Sequence, residues 1–344
     1  MMFNIEEAGE RIAGWLIADN PAAPPTLIVV LREGRERRVH SARTVRTDLK
    51  DIGLHETGEC GFVLDGSEIP DLSPETGIEI YEEASNTLLY RRAEGADAPI
   101  RLFHLETQSM PVYPLARHLS PMIQMIYGEA EMISDETLTN IMRLHWPSVL
   151  ISGGVLLRNY EGGLQAQDYR RAIVLSDPRR ELAARLIRLK SLAAEPASRT
   201  GWRALGQGSI LEVFEGLDIT DATSLGKAFR RLDDAQFFAL ADPTLRKLVA
   251  KTGDAPLDKH HVGMALDSLA GFDVLGFDDR LDLFAEGLEA LVDREGLPRD
   301  PLPSPPELPA VMEALGECRP AAELLSLDEA LHMLARDAFD KAAD

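Results

Sequence analysis

Basic residues are in short supply: 36 Lys and Arg stand against 57 Asp and Glu, a formal net charge of -21. A surface of that sign repels phosphate backbones and anionic membrane faces, which argues against nucleic acid as a partner. Cysteine is scarce as well. Cys60 and Cys318 lie far apart and in no metal-type spacing, so two free thiols are expected. No apolar run approaches the roughly 20 residues of a membrane span. The opening MMFNIEEAGERIAGW is acidic where a secretory leader is basic, so a cytoplasmic protein is expected. A glycine-rich phosphate loop is missing too: after IRLFHL, 100–105, no glycine occurs before Gly128, and Pro111, Pro114 and Pro121 interrupt the stretch. There is no internal repeat.

What remains is ordinary for a soluble globular chain: 344 residues, 45% hydrophobic and 27% charged, enough for two domains. Residues 11–92 read as all-β. IAGWLIA, TLIVVLREG, RERRVHSA, CGFVLDGSEI, GIEIYEE and NTLLYRR are short, partly alternating runs. Turn signals at Asn20-Pro21, Glu33-Gly34, Asp65-Gly66 and Thr76-Gly77 separate them, which fits a small sandwich or barrel. RTVRTDLKDIG, 43–53, reads as a helical turn or two closed by Gly53. Trp15 is expected in the core rather than as a sugar platform. AEGADAP, 93–99, marks the boundary of a β-rich domain at 1–96.

From 97 to 296, strands alternate with helices, the pattern of a parallel sheet with helices on its faces. IRLFHL, SVLISGG and RRAIVL are strands, and FDVLGF is a candidate last one. Ser134 caps a helix running towards Trp146-Pro147, and EPASRTGWRALGQGS, 195–209, is a loop. Residues 209–218 and 220–240 read as helical. Asp242 and Pro243 open a helix closed by Gly253, and two more span 258–269 and 278–293. LPRDPLPSPPELP, 297–309, is a proline-rich connector. The tail ends in a helix capped by Ser326 and packed through Leu327, Ala330, Leu331, Leu334 and Phe339. Connector and tail, 297–344, are expected to pack on the α/β domain.

The stretch 170–190 holds the candidate site. Residues 172–175 make a buried strand, Asp177 is the N-cap and Pro178 the first helical residue, and Leu182, Leu186 and Leu189 form an apolar stripe. Arg170, Arg171, Arg179 and Arg180 form either one positive pocket in an acidic protein or a solvated helix face. The pair His260-His261 lacks the four-residue spacing of a helical metal site and reads as structural or surface histidines. His104 reads as a core residue, although with His118 it flanks the glycine-free loop. Asp278, Asp279 and Asp282 read as an acidic helix start. No Ser/His/Asp or Cys/His arrangement is readable.

Several pieces, in order, resemble bacterial sulfotransferases of the cytosolic, carbohydrate-modifying type. ALDSLAGFDVLGFDDRLDLFAEGLEAL, 265–291, is similar to that family's helix, FD-x-V-G-L segment and further helix. IVLSDPRRELAARLIRLK resembles its second nucleotide-binding segment, SVLISGG its "isGH" segment and SLDEALHMLARDAF its closing helix. Gly14-Trp15, Pro21, Leu27, Gly34, Ala42, Arg46, Asp48-Leu49, Gly53 and Gly61-Phe62 resemble a β-rich module found ahead of bacterial sulfotransferases and glycosyltransferases.

The resemblance implies 3′-phosphoadenosine 5′-phosphosulfate as donor, held by a Pro-Lys-Thr-Gly-Gly-Thr-Ser loop and by an Arg-Asp-Pro with a later Ser. Here the loop reads Leu105-Glu106-Thr107-Gln108-Ser109-Met110-Pro111, without lysine or glycine. Ser176 stands at the Arg position, the later Ser falls near Ala183 or Ala184, and Gly154 replaces the His. One lost oxyanion donor alone costs about 3 to 4 kcal/mol. The expectation is therefore a sulfotransferase-like pseudoenzyme without cofactor or catalytic residue, acting as a glycan- or protein-binding scaffold. The alternative is an active transferase to a carbohydrate hydroxyl, with Arg170, Arg179, Arg180 and Ser176 forming a rebuilt donor site. A third reading makes the β-rich domain a carbohydrate or protein docking module.

Overall fold

Alternation with period two builds the first part of the chain. The computed structural model describes residues 1–19, 26–31, 35–39, 43–70, 72–194 and 208–343. Pro21, Gly34 and Ala42, the turns at Asn20-Pro21 and Glu33-Gly34, and nearly all of the expected loop at 195–209 lie outside them. Strands β1 (Met2–Ala8), β2 (Ile12–Ile17), β5 (Thr44–Val45) and β6 (Glu59–Leu64) form an antiparallel sheet in the order β1-β2-β6-β5. A second sheet orders β3 (Leu27–Leu31), β4 (Arg35–Val39), β7 (Ile78–Glu82) and β8 (Thr87–Arg92) as β4-β3-β7-β8. Among the described residues these strands form two separate four-stranded sheets.

Ile12 and Leu16 of β2 are buried, as are Leu27, Val29, Ile78 and Ile80 on the second sheet. Trp15 is therefore not in the core. Ile12, Gly14 and Leu16 take the inward positions, so the pleat turns Trp15 outward, half-buried. Gly14 is required there, because a Cβ would lie 2.2 Å from the Asn4 carbonyl oxygen on β1. The expected turns at 43–53 are α1 (Thr47–Asp51), and Gly53 follows with φ +74°. Edge strand β1 was not expected. Its acidic second half is exposed, but Phe3 is fully buried.

The second sheet type is parallel and five-stranded, in the order β10-β11-β9-β12-β13, with flanking helices. The strands are β9 (Arg101–Leu105), β10 (Met125–Tyr127), β11 (Val149–Gly153), β12 (Arg170–Leu175) and β13 (Val274–Phe277). Thus RRAIVL and FDVLGF are strands, and they pair in parallel from Ala172↔Val274 to Leu175↔Phe277. Buried residues run continuously through β11 and from Ala172 to Leu175, the pattern of strands covered on both faces. The helices between are α2 (Leu115–Leu119), α3 (Asp135–Arg143), α4 (Glu161–Ala166) and α5 (Pro178–Ala194). Ser134 caps α3 by accepting the Thr137 N–H, and the helix stops at Arg143, short of Trp146.

After the parallel core come α6 (Gly208–Phe214), α7 (Ala222–Phe229), α8 (Asp234–Leu240), α9 (Pro243–Val249), α10 (Lys259–Leu269), α11 (Leu281–Val292), α12 (Leu308–Glu317) and α13 (Arg319–Ala343). The stretch 220–240 is two helices, because Asp221 and Asp233 each cap a new start. Helix α9 ends at Val249, before Gly253, and α11 begins at Leu281, so Asp278 and Asp279 precede it. The tail helix starts at Arg319 rather than after Ser326. Its buried face runs through Leu324, Leu325, Asp328, Leu331 and Ala335, while Leu334 is exposed.

Two compact units result, interleaved along the chain. One comprises Met1–Phe103, Leu115–Ser152 and Gly162–Tyr169; the other comprises His104–Pro114, Gly153–Glu161 and Arg170–Asp344. In the second, the apolar stripe of α5 is buried against Phe214 of α6, Leu225 of α7, Val311 of α12 and Leu324 of α13. Each fully buried leucine there stabilises by about 2 to 3 kcal/mol. No described helix is long and apolar enough to cross a membrane.

Candidate functional site

Strand order locates the site. From β9 the chain moves to β10 and β11 on one side, then returns to β12 and β13 on the other. In open α/β sheets, ligands sit outside the carboxyl ends of the strands where the order switches, here those of β9 and β12. Those ends carry Glu106-Thr107-Gln108-Ser109 and Ser176-Asp177, all within the second unit.

The loop after β9 is bonded to the chain's own groups. The Thr107 hydroxyl and the Gln108 amide both donate to the Val174 carbonyl, the former at 2.9 Å. Lys247 of α9 donates through Nζ to the Glu106 and Thr107 carbonyl oxygens at 2.9 and 3.1 Å, and Arg188 donates to the Ser109 carbonyl at 2.7 Å. Ser109 then donates its backbone N–H to both oxygens of Glu181, at 2.8 and 3.0 Å, and its hydroxyl to Oε1. A backbone N–H at such a loop is the group that holds an anion in a phosphate site. Here the acceptor is the side-chain carboxyl of Glu181 on α5.

Glu181 is 3% exposed. Burial raises its carboxyl above the ordinary glutamate value, and the opposite pull of Lys247, Ser109 and Arg185 does not reverse that. Arg185 is lowered by burial and supported by Glu181 in turn. At Gly154, a Cβ would meet the Lys247 ammonium at 3.1 Å and the Glu106 carbonyl at 3.4 Å. Lys247 fills the space into which a side chain at position 154 would enter.

The carboxyl ends of β12 and β13 are closed in a related way. Asp177 caps α5 as expected, accepting the Arg180 N–H at 2.9 Å. Arg180 pairs with Asp278 at 3.4 Å and donates to the Ser304 hydroxyl at 2.8 Å. Asp278 is pushed up by burial and held down by Arg180 and by the neighbouring Ser176 hydroxyl. Asp279 accepts both terminal nitrogens of Arg336 at 2.7 and 2.9 Å, and that guanidinium lies 4.7 Å from the Phe277 ring centroid. Arg179 faces Glu329 of the tail helix at 3.8 Å.

The candidate residues do not all meet. Ser176, Arg179 and Arg180 share the carboxyl end of β12, but each arginine has an acidic partner. Arg170 lies at the amino end of that strand, paired with Asp273 at 2.9 Å. As for bases, burial lowers His104 to about 4, and it lowers His332 as well. His261 is structural, completing a capping box with Asp258 at the start of α10, while the His260 side chain is exposed. Among the described residues, no cluster of three His, Cys, Asp or Glu side chains fits a metal ion. Both cysteines are buried free thiols.

Glu181 and Lys247, the groups that define the loop, were not singled out by the sequence. The only local signal was a glutamate in the first turn of α5, which reads equally as a dipole partner. Compared with family models, with curated proteins and with solved structures, the chain matches none of them.

Proposed function

We propose that this chain is a recognition scaffold on a sulfotransferase-like α/β fold, carrying a β-rich module ahead of it, which takes a glycan or protein partner and transfers no sulfate. The Glu181 carboxylate on the Ser109 N–H and hydroxyl carries the reading. A phosphosulfate seated on that loop would have to displace a buried carboxylate and lie beside Glu106. Displacement would leave Glu181 buried without its hydrogen bonds, a cost of several kcal/mol. The Lys247 ammonium is directed at the loop's carbonyl oxygens, and Arg170 stands at the opposite end of β12 from Arg179 and Arg180.

The test is titration calorimetry of 3′-phosphoadenosine 5′-phosphate, the stable product of the donor, into the full-length protein. Silence at millimolar ligand is expected. Micromolar binding would overturn the reading and return the arginines to the role of a rebuilt donor site.

A further inference from the structure

The proline-rich connector between α11 and α12 has its backbone set by its own residues. Over 297–306 every residue except Arg299 is a proline or directly precedes one. Proline fixes φ at about −65°, and the residue before it is pushed to an extended ψ, so the segment is driven towards polyproline II before any contact forms. The fold agrees. Residues 298–305 belong to no helix or strand, and none of them has a positive φ.

A polyproline II helix turns once in about three residues, which sorts its side chains into three columns. Arg299, Leu302 and Pro305 form the column that meets the protein: Leu302 and Pro305 are half-buried, and Arg299 pairs with Glu289 at 3.0 Å. The backbone is pinned as well. The Leu302 N–H donates to the Val112 carbonyl at 2.8 Å, and the Tyr113 hydroxyl donates to the Pro298 carbonyl at 2.7 Å. Pro298, Pro301 and Ser304 make a second column, Asp300, Pro303 and Pro306 a third, and these residues are exposed. Among the described residues, nothing donates to the carbonyl oxygens of Pro301, Leu302 or Pro303.

We propose that the two outward columns are a docking ridge for a protein partner whose groove is lined by Trp and Tyr and rimmed by Lys or Arg. Such grooves read polyproline II by seating proline rings between aromatic ones, while indole N–H or phenol O–H groups donate to its free carbonyl oxygens. The exposed side offers both. The rim charge follows from Asp300 and Glu307, which are exposed, whereas the one basic residue of the segment is already paired with Glu289. Because the chain holds the ridge in its bound form, a partner meets little ordering cost. The inference goes beyond the scaffold reading, since the ridge lies outside the loop after β9 and requires nothing of the nucleotide.

The experiment titrates a panel of purified WW-type domains, including grooves rimmed by lysine or arginine, into the full-length protein, with a peptide of residues 297–309 as comparator. At least one domain is expected to bind the full chain, and to bind it more tightly than the peptide, which must be ordered on binding. Pro301→Ala/Pro303→Ala should weaken that binding about tenfold. Asp300→Lys keeps every proline and should weaken it too, with added salt shrinking the effect. If the double variant does not fold, Asp300→Lys decides, and undiminished binding overturns the inference. A full chain silent to every domain also overturns it, as does a peptide that binds where the full chain does not, or binding unchanged in the folded double variant. The nucleotide titration separates the two proposals. Micromolar nucleotide binding overturns the scaffold and leaves the ridge, whereas silence of the domains removes the ridge and leaves the scaffold.

Discussion

Asp242 and Asp328 each cap the segment that carries the other. Oδ1 of Asp242 accepts the N–H groups of Leu327 and Asp328, both at 2.9 Å, inside the tail helix. Asp328 accepts the N–H groups of Thr244 at 3.0 Å and Leu245 at 2.7 Å, in the first turn of α9. Asp242 therefore stands at the expected N-cap position of α9 without capping it. Its backbone is left-handed, φ 45°, and its carboxylate serves α13, where the sequence had pointed to Ser326.

Two buried carboxylates this close share charge poorly. Asp328 is pushed up to about 7 by burial and by Asp242, and Asp242 is also raised by burial. The pair thus retains a proton that the unfolded chain releases near the ordinary carboxylate value. Folding takes up a proton between about pH 4 and 7, so this contribution to stability is full below that window and is lost as pH rises through about 7. Both N–H bonds to Asp242 fall on Oδ1, so Asp242→Asn mimics the protonated pair. Burial of Asp328, the larger cause of its shift, remains in the variant, so urea melts at pH 5.5 and 8 should show wild type losing up to about 2 kcal/mol relative to it. Parallel pH profiles would refute the account.

Gly154→His restores the side chain of the resembled segment but drives it against Lys247 and the Glu106 carbonyl. Overpacking of this kind costs about 1 to 3 kcal/mol. The variant should be less stable than wild type and gain no sulfate transfer with any carbohydrate acceptor. A variant as stable as wild type would mean that Lys247 moves aside at little cost.

Arg91 ties β8 to the segment before β10. Its guanidinium donates to the Ser120 and Ile123 carbonyl oxygens at 3.0 and 2.7 Å and pairs with Glu79 at 3.1 Å. A lysine presents one point of charge in place of the planar fork, so Arg91→Lys leaves carbonyl groups without donors. Chemical denaturation should register a loss of about 2 kcal/mol. A loss under a few tenths would show that water replaces the fork.

Arg336→Ala removes the bidentate pair with Asp279 and the contact with Phe277. Because Asp279 is more than half exposed, the pair itself contributes modestly, and the total loss should be near 1 kcal/mol. High salt should shrink the difference between wild type and variant. A difference unchanged by salt would assign the effect to packing on Phe277 alone.

The parts legible in the sequence share a short range. The pleat of IEIYE, the buried run AIVL, Ser134 as a cap, and Asp177-Pro178 as a helix start each depend on residues within a few positions of one another. Where local signals misled, a distant group had displaced the local one. Ser326 looked like a cap until Asp242 took its N–H groups, and Trp15 looked like core until the pleat placed Ile12 and Leu16 inward.

By itself the sequence determined that a β-rich part precedes a parallel α/β part, and that the loop after β9 carries neither lysine nor glycine. Backbone preference and hydrophobic period act over one or two turns and leave a local trace. Only the tertiary structure decided what that loop holds. Ser109 and Glu181 are 72 residues apart, Lys247 and Glu106 are 141 apart, and nothing in the spacing of one anticipates the other. Burial brings them together: a carboxylate and an ammonium removed from water are stable only beside partners, and packing of α5 and α9 against the sheet selects which partners those are.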